Sequence, residues 1–159
     1  MPSTPTIRLA RSHEGLVIAR LSRDRIEQGL AWSWTPQRVR RSMQDQDTNV
    51  AVMVLEGLVL GFGIMKYSVD EAHLLLLAVR PGVERRRIGT ALVNWLESSA
   101  RVAGIDRVML EARASNAGAR AFYRKQGYAE IEVVPRYYQS VEASVRLAKD
   151  LLLHQPASA

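Results

Sequence analysis

The chain has no cysteine among its 159 residues. That absence removes disulfides, zinc-thiolate sites and a covalent thiol nucleophile together, so any group transfer must use other chemistry. Histidine is scarce: His13, His73 and His154 are scattered with no ligand spacing, and no metal site is expected. Glu14, Asp70 and Glu71 read as solvated loop charges. Long apolar runs are missing too; stretches such as Leu74 to Val79 fall far short of a membrane span. The opening M-P-S-T-P-T-I-R lacks the apolar core of a signal peptide, which makes a cytoplasmic location without a membrane partner the expectation. No repeat or low-complexity linker is visible, and the final H-Q-P-A-S-A reads as a frayed tail.

What is present suits one folded domain over residues 1–159, with 47% hydrophobic residues to supply a core. The 22 Lys and Arg against 16 Asp and Glu leave a net charge of +6, an excess that attracts anions. Phosphorylated ligands and an RNA-rich neighbourhood both fit that charge.

Periodicity divides the chain into alternating elements. Thr6 to Leu9 suits a short strand, and Gly15 to Leu30 carries apolar residues at roughly helical spacing. Thr35 before Pro36 is a strong helix start, predicting a second helix from Pro36 to about Gln44. Asn49 to Leu55 and Leu58 to Tyr67 flank Glu56-Gly57 as a hairpin, and Ala72 to Val79 suits a central strand buried on both faces. Ile88, Ala91, Leu92, Trp95 and Leu96 form the clearest helical stripe, ending near Gly104. Arg107 to Ala112 is a strand, Asn116 to Gln126 a helix closed by Gly127, and Ala129 to Val134 and Ala143 to Leu147 two late strands.

Two segments carry chemistry. The first is V-R-P-G-V-E-R-R-R-I-G-T-A-L, Val79 to Leu92, where three arginines enter the best helix. Alone, R-R-R reads as a solvated turn before an amphipathic helix rather than as a phosphate cradle. The second is M-L-E-A-R-A-S-N-A-G-A-R-A-F-Y-R-K-Q-G-Y, Met109 to Tyr128. Together, with the order of elements around them, these segments resemble the GCN5-related N-acetyltransferases. With the V-P-R-Y-Y that follows, the second is most similar to the bacterial ribosomal-protein alanine N-acetyltransferase subgroup.

The resemblance implies an α/β (α+β) fold, with a mixed, mostly antiparallel sheet of about seven strands, splayed in the middle, and about four helices on its faces. It also implies acetyl-CoA as co-substrate and no metal. Backbone groups of Leu77, Ala78 and Val79 would receive the acetyl-pantetheine arm, which requires that strand to splay from the one at Val108 to Ala112. Arg85, Arg86, Arg87, Ile88, Gly89 and Thr90 would hold the pyrophosphate at a helix N-terminus, where unpaired N–H groups and the positive dipole end converge. Here the chain departs from the family: Arg87 occupies a usual glycine position and must reach a backbone conformation glycine adopts more cheaply.

The same resemblance implies Glu111 as general base, Tyr123 as general acid, and Asn116 as a further cofactor contact. The bland readings remain beside it: Glu111 as a surface carboxylate or a partner of Arg113, Tyr123 as a core aromatic, and Asn116 as a helix cap alone. Trp34, Tyr137 and Tyr138 match positions near the subgroup's acceptor site, although Trp32 and Trp34 also suit the core.

Without cysteine, direct transfer in a ternary complex is favoured over an acyl-enzyme. An α-amine of pKa about 7.7 to 8.0 is partly neutral at pH 7, whereas a lysine near 10.4 needs about 4 to 5 kcal/mol to deprotonate. That weakly favours a protein or peptide N-terminus as acceptor. A small-molecule amine (polyamine, amino acid or aminoglycoside), a non-catalytic acyl-CoA sensor and an RNA-binding module are the alternatives. The last lacks aromatics interleaved with its arginines. The sequence leaves open whether the chain forms a homodimer.

Overall fold

The computed structural model describes residues 3–83, 87–135 and 142–153. Among them, seven strands form one sheet in the order β1-β2-β3-β4-β5-β7-β6. The strands are β1 Thr6–Leu9, β2 Thr48–Leu55, β3 Leu58–Tyr67, β4 Ala72–Val79, β5 Arg107–Arg113, β6 Ala129–Val134 and β7 Ser144–Asp150. The helices are α1 Gly15–Arg25, α2 Pro36–Gln44, α3 Ile88–Val102 and α4 Ala117–Lys125, with a 3-10 turn over Ser12–Glu14. Every neighbouring pair is antiparallel except β4 with β5. This is the expected mixed, mostly antiparallel α/β architecture. No helix among the described residues is long and apolar enough to cross a membrane.

Local chemistry accounts for most boundaries. Glu56 and Gly57 both take positive φ, 51° and 80°, the requirement of the tight turn whose twist suits a hairpin. Thr35 caps α2 by accepting the Arg38 N–H, and Pro36 follows at the first helical position. Asn116 caps α4 by accepting the Ala119 N–H, and Gly127 leaves that helix at φ 99°. The first helix is shorter than its apolar spacing predicts. It stops at Arg25 because the N–H groups of Ile26 and Glu27 both turn back to the Ser22 carbonyl. Ile26 and Leu30 therefore belong to a loop.

Two apolar layers cover the sheet. On one face α1 and α2 pack with Ile18, Val39, Val52, Phe62 and Ile64; on the other, α3 packs with Met65, Leu92, Leu96, Leu110 and Leu147. The α3 helix lies close to β3 because β3 has glycines beneath it. A Cβ on Gly63 would meet Leu96 Cδ1 at 2.7 Å, and one on Gly61 would meet Ile88 Cγ2 at 3.1 Å. At the base of this layer, Glu97 of α3 accepts from Lys149 Nζ (2.9 Å) and from the Tyr128 hydroxyl (2.8 Å), while Lys149 also reaches the Gln126 carbonyl (2.8 Å). These groups are buried, and each polar end has a partner.

The β4 strand differs from its expectation. Buried and half-covered residues alternate along it, and the buried ones do not share one face. Its register with β3 skips Leu75, since Ile64 opposes Leu76 while Met65 opposes Leu74. Side chains alternate along a strand, so one extra residue exchanges the faces beyond it. Ala72 and Leu74 face the α3 layer, whereas Leu76 and Ala78 face the α1–α2 layer. Leu77 and Val79 are thereby turned toward α3.

Glu14, expected to be solvated, is 4% exposed. Arg8 holds it through two 2.8 Å bonds, and the Arg11 N–H adds a third. The Arg8 guanidinium, with that N–H, draws its carboxyl below the usual range despite burial. A depressed folded value adds stability above the unfolded value and loses it as pH falls through the folded one. Urea unfolding should therefore find Glu14→Gln less stable than wild type by about 1 to 3 kcal/mol at neutral pH. The gap should stay full above about pH 4.5 and narrow below it.

Candidate functional site

Parallel pairing of β4 with β5 runs from Ala72 opposite Val108 to Leu74 opposite Leu110 and then stops. Beyond it, Leu76 to Val79 keep β3 as a neighbour on one side and, among the described residues, have no strand partner on the other. The expected splay is therefore present, and the skipped register at Leu75 sits where it begins.

A cleft of about 770 Å³ opens along that edge, walled by Leu77, Ala78 and Val79, by the start of α3, and by Phe122, Tyr123, Lys125 and Gln126 of the α4 region. The first bond within α3 runs from the Ala91 N–H to the Arg87 carbonyl. The N–H groups of Ile88, Gly89 and Thr90 precede it and have no acceptor inside the helix. With the positive dipole end, and with Arg87 and Lys125 on the walls, this end of the cleft suits an anion. The Ile88 side chain is buried in the core, which leaves only its main chain for that role. The Thr90 hydroxyl accepts from Gln126 Nε2 at 3.0 Å. At Gly89 a Cβ would lie 3.2 Å from Phe122 Cζ, so glycine here allows α4 to close on α3.

Arg87 stands at the N-cap of α3 with φ 57° and ψ 29°, the left-handed region. Its sequence position demanded a conformation favoured by glycine, and the backbone adopts one at a cost of about 1 to 2 kcal/mol.

A smaller cleft of about 220 Å³ adjoins the first, and the two share Arg25, Leu77, Ala119 and Tyr123 as walls. Glu111 lines the smaller cleft alone. Tyr123 thus stands at the junction, its ring edge-on to Phe122 and Tyr128 at 5.1 and 5.9 Å. Burial pushes its phenol well above the usual tyrosine value, so it retains its proton across the physiological range. Glu111 pairs with Arg146, whose Nη2 lies 3.1 Å from Oε1. These residues are direct cross-strand partners on β5 and β7. Arg113, the alternative partner, instead donates to the Ile26 carbonyl at 2.8 Å. His73 of β4 is held below the usual imidazole value by burial, against the opposing pull of Glu111 and Glu71.

The remaining sequence candidates separate cleanly. Asn116 lines the smaller cleft rather than the larger, with Oδ1 engaged by the Ala119 N–H at 3.0 Å. Trp34 lines neither: it is buried in the α1–α2 core, with the Arg38 guanidinium 3.8 Å above its ring. Arg85, Arg86, Tyr137 and Tyr138 lie outside the described residues. Among the described residues no group of three or more His, Asp or Glu stands together as a metal site. Arg25, Lys125 and Arg146 were not singled out from the sequence. Arg25 and Lys125 sit in the last turns of their helices, where basic residues are ordinary. Arg146 becomes visible only once β7 is known to neighbour β5.

The model of the acetyltransferase (GNAT) family matches residues 18–128. An uncharacterised N-acetyltransferase of Methanocaldococcus jannaschii is 32% identical over 99 residues, 62% of this chain; the matched stretch is 64% of that relative, a little under two thirds of its length. The [Ribosomal protein bS18]-alanine N-acetyltransferase of Escherichia coli K12 is 30% identical over 112 residues, 70% of this chain and 75% of the relative. Among solved structures, Ard1 of Thermoplasma volcanium superposes with a TM-score of 0.79 at 25% identity, covering 92% of this chain and 97% of that one.

The strain at Arg87 is measurable. Arg87→Gly removes the left-handed cost but gives the unfolded chain more freedom, so the net gain in unfolding free energy should be no more than about 1 kcal/mol. Chemical denaturation of the two proteins, without ligand, checks it.

Proposed function

Because the chain belongs to the acetyltransferase (GNAT) family, we propose that it transfers acetyl from acetyl-CoA to the α-amine of a peptide or protein N-terminus, of the kind presented by an alanine-starting ribosomal protein. The observation that carries this reading is the meeting of two clefts at Tyr123, with Glu111 confined to the smaller one. A cofactor site and an acceptor site joined at a proton donor are what direct transfer requires.

The larger cleft fits acetyl-CoA on three counts. Its β4 edge offers unpaired main-chain groups to an extended amide-bearing arm, in the manner of an added strand. The first turn of α3 offers N–H groups to a pyrophosphate, and Arg87 and Lys125 add positive charge. Bound there, acetyl-CoA supplies an activated acyl carbon.

The residues of this chain then manage two protons. Glu111 accepts one from the acceptor ammonium, directly or through a water, which frees the nitrogen lone pair for the thioester carbonyl carbon. As the N–C bond forms and the C–S bond breaks, Tyr123 gives its hydroxyl proton to the departing sulfur, and the second proton that nitrogen sheds in becoming an amide passes through water to restore the phenol. The products are an acetamide and free coenzyme A. Burial, which holds the Tyr123 phenol above the usual tyrosine value, suits the role, because the residue carries its proton at the moment it is needed. Similarity to the bS18-alanine enzyme supports an α-amine, as does the small size of the pocket containing Glu111.

Coenzyme A release, measured across alanine-starting peptides, lysine peptides, polyamines and aminoglycosides, should be fastest with the first group. Acetyl-CoA binding with no turnover on any of them would defeat the proposal. Tyr123→Phe and Glu111→Gln should each lower kcat about 10²- to 10⁴-fold, with little change in acetyl-CoA affinity. Unchanged turnover in Tyr123→Phe would remove that residue as the acid.

A further inference from the structure

The bond from Arg113 Nη2 to the Ile26 carbonyl joins positions 87 apart in the chain, at 2.8 Å. Arg113 is the last residue of β5 and lies past the point where β4 leaves that strand. Ile26 is the C-cap of α1, whose helix packs against β4. The contact therefore spans the parted strands with a side chain where the backbone ladder has ended. Its chemistry is favourable, because a helix C-terminus presents carbonyls without intrahelical donors and carries the negative dipole end.

The loop that follows Ile26 is restrained independently. Glu27, 5% exposed, accepts from the Ser22 hydroxyl (2.8 Å), the Ser33 N–H (2.8 Å), the Ser33 hydroxyl (2.7 Å) and the Trp34 N–H (3.3 Å). These bonds hold its carboxyl ionised, below the usual range, against the effect of burial. Glu27 thus closes the loop on its own helix, and Arg113 ties that closed unit to β5. Arg113, Ile26 and Ser144, which opposes Arg113 on β7, all line the smaller cleft with Glu111.

We propose that Arg113 is a specificity-determining positioning residue: its bond to Ile26 sets the width of the smaller cleft and so excludes acceptors with a bulky first side chain. This rests on the reading of that cleft as the α-amine site. The fork of a guanidinium spans the gap with fixed geometry, which a flexible ammonium reproduces only in part.

The test compares wild type with Arg113→Lys and Arg113→Met, using peptides that begin with alanine or with leucine. In Arg113→Met the ratio of kcat/KM for the leucine over the alanine peptide should rise about tenfold, with Arg113→Lys in between. The KM for acetyl-CoA should change by no more than about twofold. An unchanged ratio, or an equal loss toward both peptides and acetyl-CoA, overturns the proposal. Amide hydrogen exchange supplies a readout free of the acceptor assignment: fragments covering residues 22–32 should exchange faster in Arg113→Met, while those covering α3 stay as in wild type. Unchanged exchange over 22–32 overturns the strut even if no α-amine is acetylated. Faster exchange in a protein whose wild type acetylates no α-amine leaves the strut standing and defeats the acceptor reading. If Arg113→Met does not fold, Arg113→Lys carries both measurements.

Discussion

Three residues of parallel pairing between β4 and β5 are the backbone seam on which the site depends. A longer seam would fill the β4 edge with ladder bonds and leave no cleft. A shorter one would leave little backbone link between the β1–β4 portion and the β5–β7 portion. The skipped register at Leu75 marks the balance, since the chain beyond it turns Leu77 and Val79 toward the cleft side.

What a split sheet loses in pairing is recovered across its faces. On one, α3 runs under both portions, packing on β2, β3 and β4 while Glu97 grips Lys149 of β7 and Tyr128. Leaving one member of such a buried group unpaired is far more costly than never having had it. On the opposite face Arg113 reaches from β5 to the end of α1.

Much of the fold was legible because its punctuation is local. Thr35-Pro36, Glu56-Gly57 and Asn116 with Gly127 each carry their own geometry, and the strands and helices between them fall within a few residues of expectation. The site was legible in part by resemblance: Glu111 and Tyr123 do share one cleft, and Arg87 does adopt the conformation its position demands. What escaped depends on distant neighbours. The L-L-L-L run from Leu74 to Leu77 offers identical side chains to either face, so it carries no sign of a register slip. Ile26 and Leu30 keep helical spacing, but the loop after α1 is shaped by bonds from Ser33 and Trp34 to Glu27, which that spacing does not show. Glu14 looked solvated because its partner Arg8 sits on an adjacent strand, and Arg146 looked ordinary because β7 joins β5 out of chain order.

The bare surface of β3 under α3 constrains two positions outside the clefts. Gly61 and Gly63 touch neither Tyr123 nor Glu111 and lie far from them in the chain, so a survey of cleft residues would pass them over. Yet even a methyl group at residue 63 would force Leu96 aside or lift α3, and the first turn of α3 is a wall of the larger cleft. The height of α3 above the sheet is set by the hydrogen atoms of two glycines.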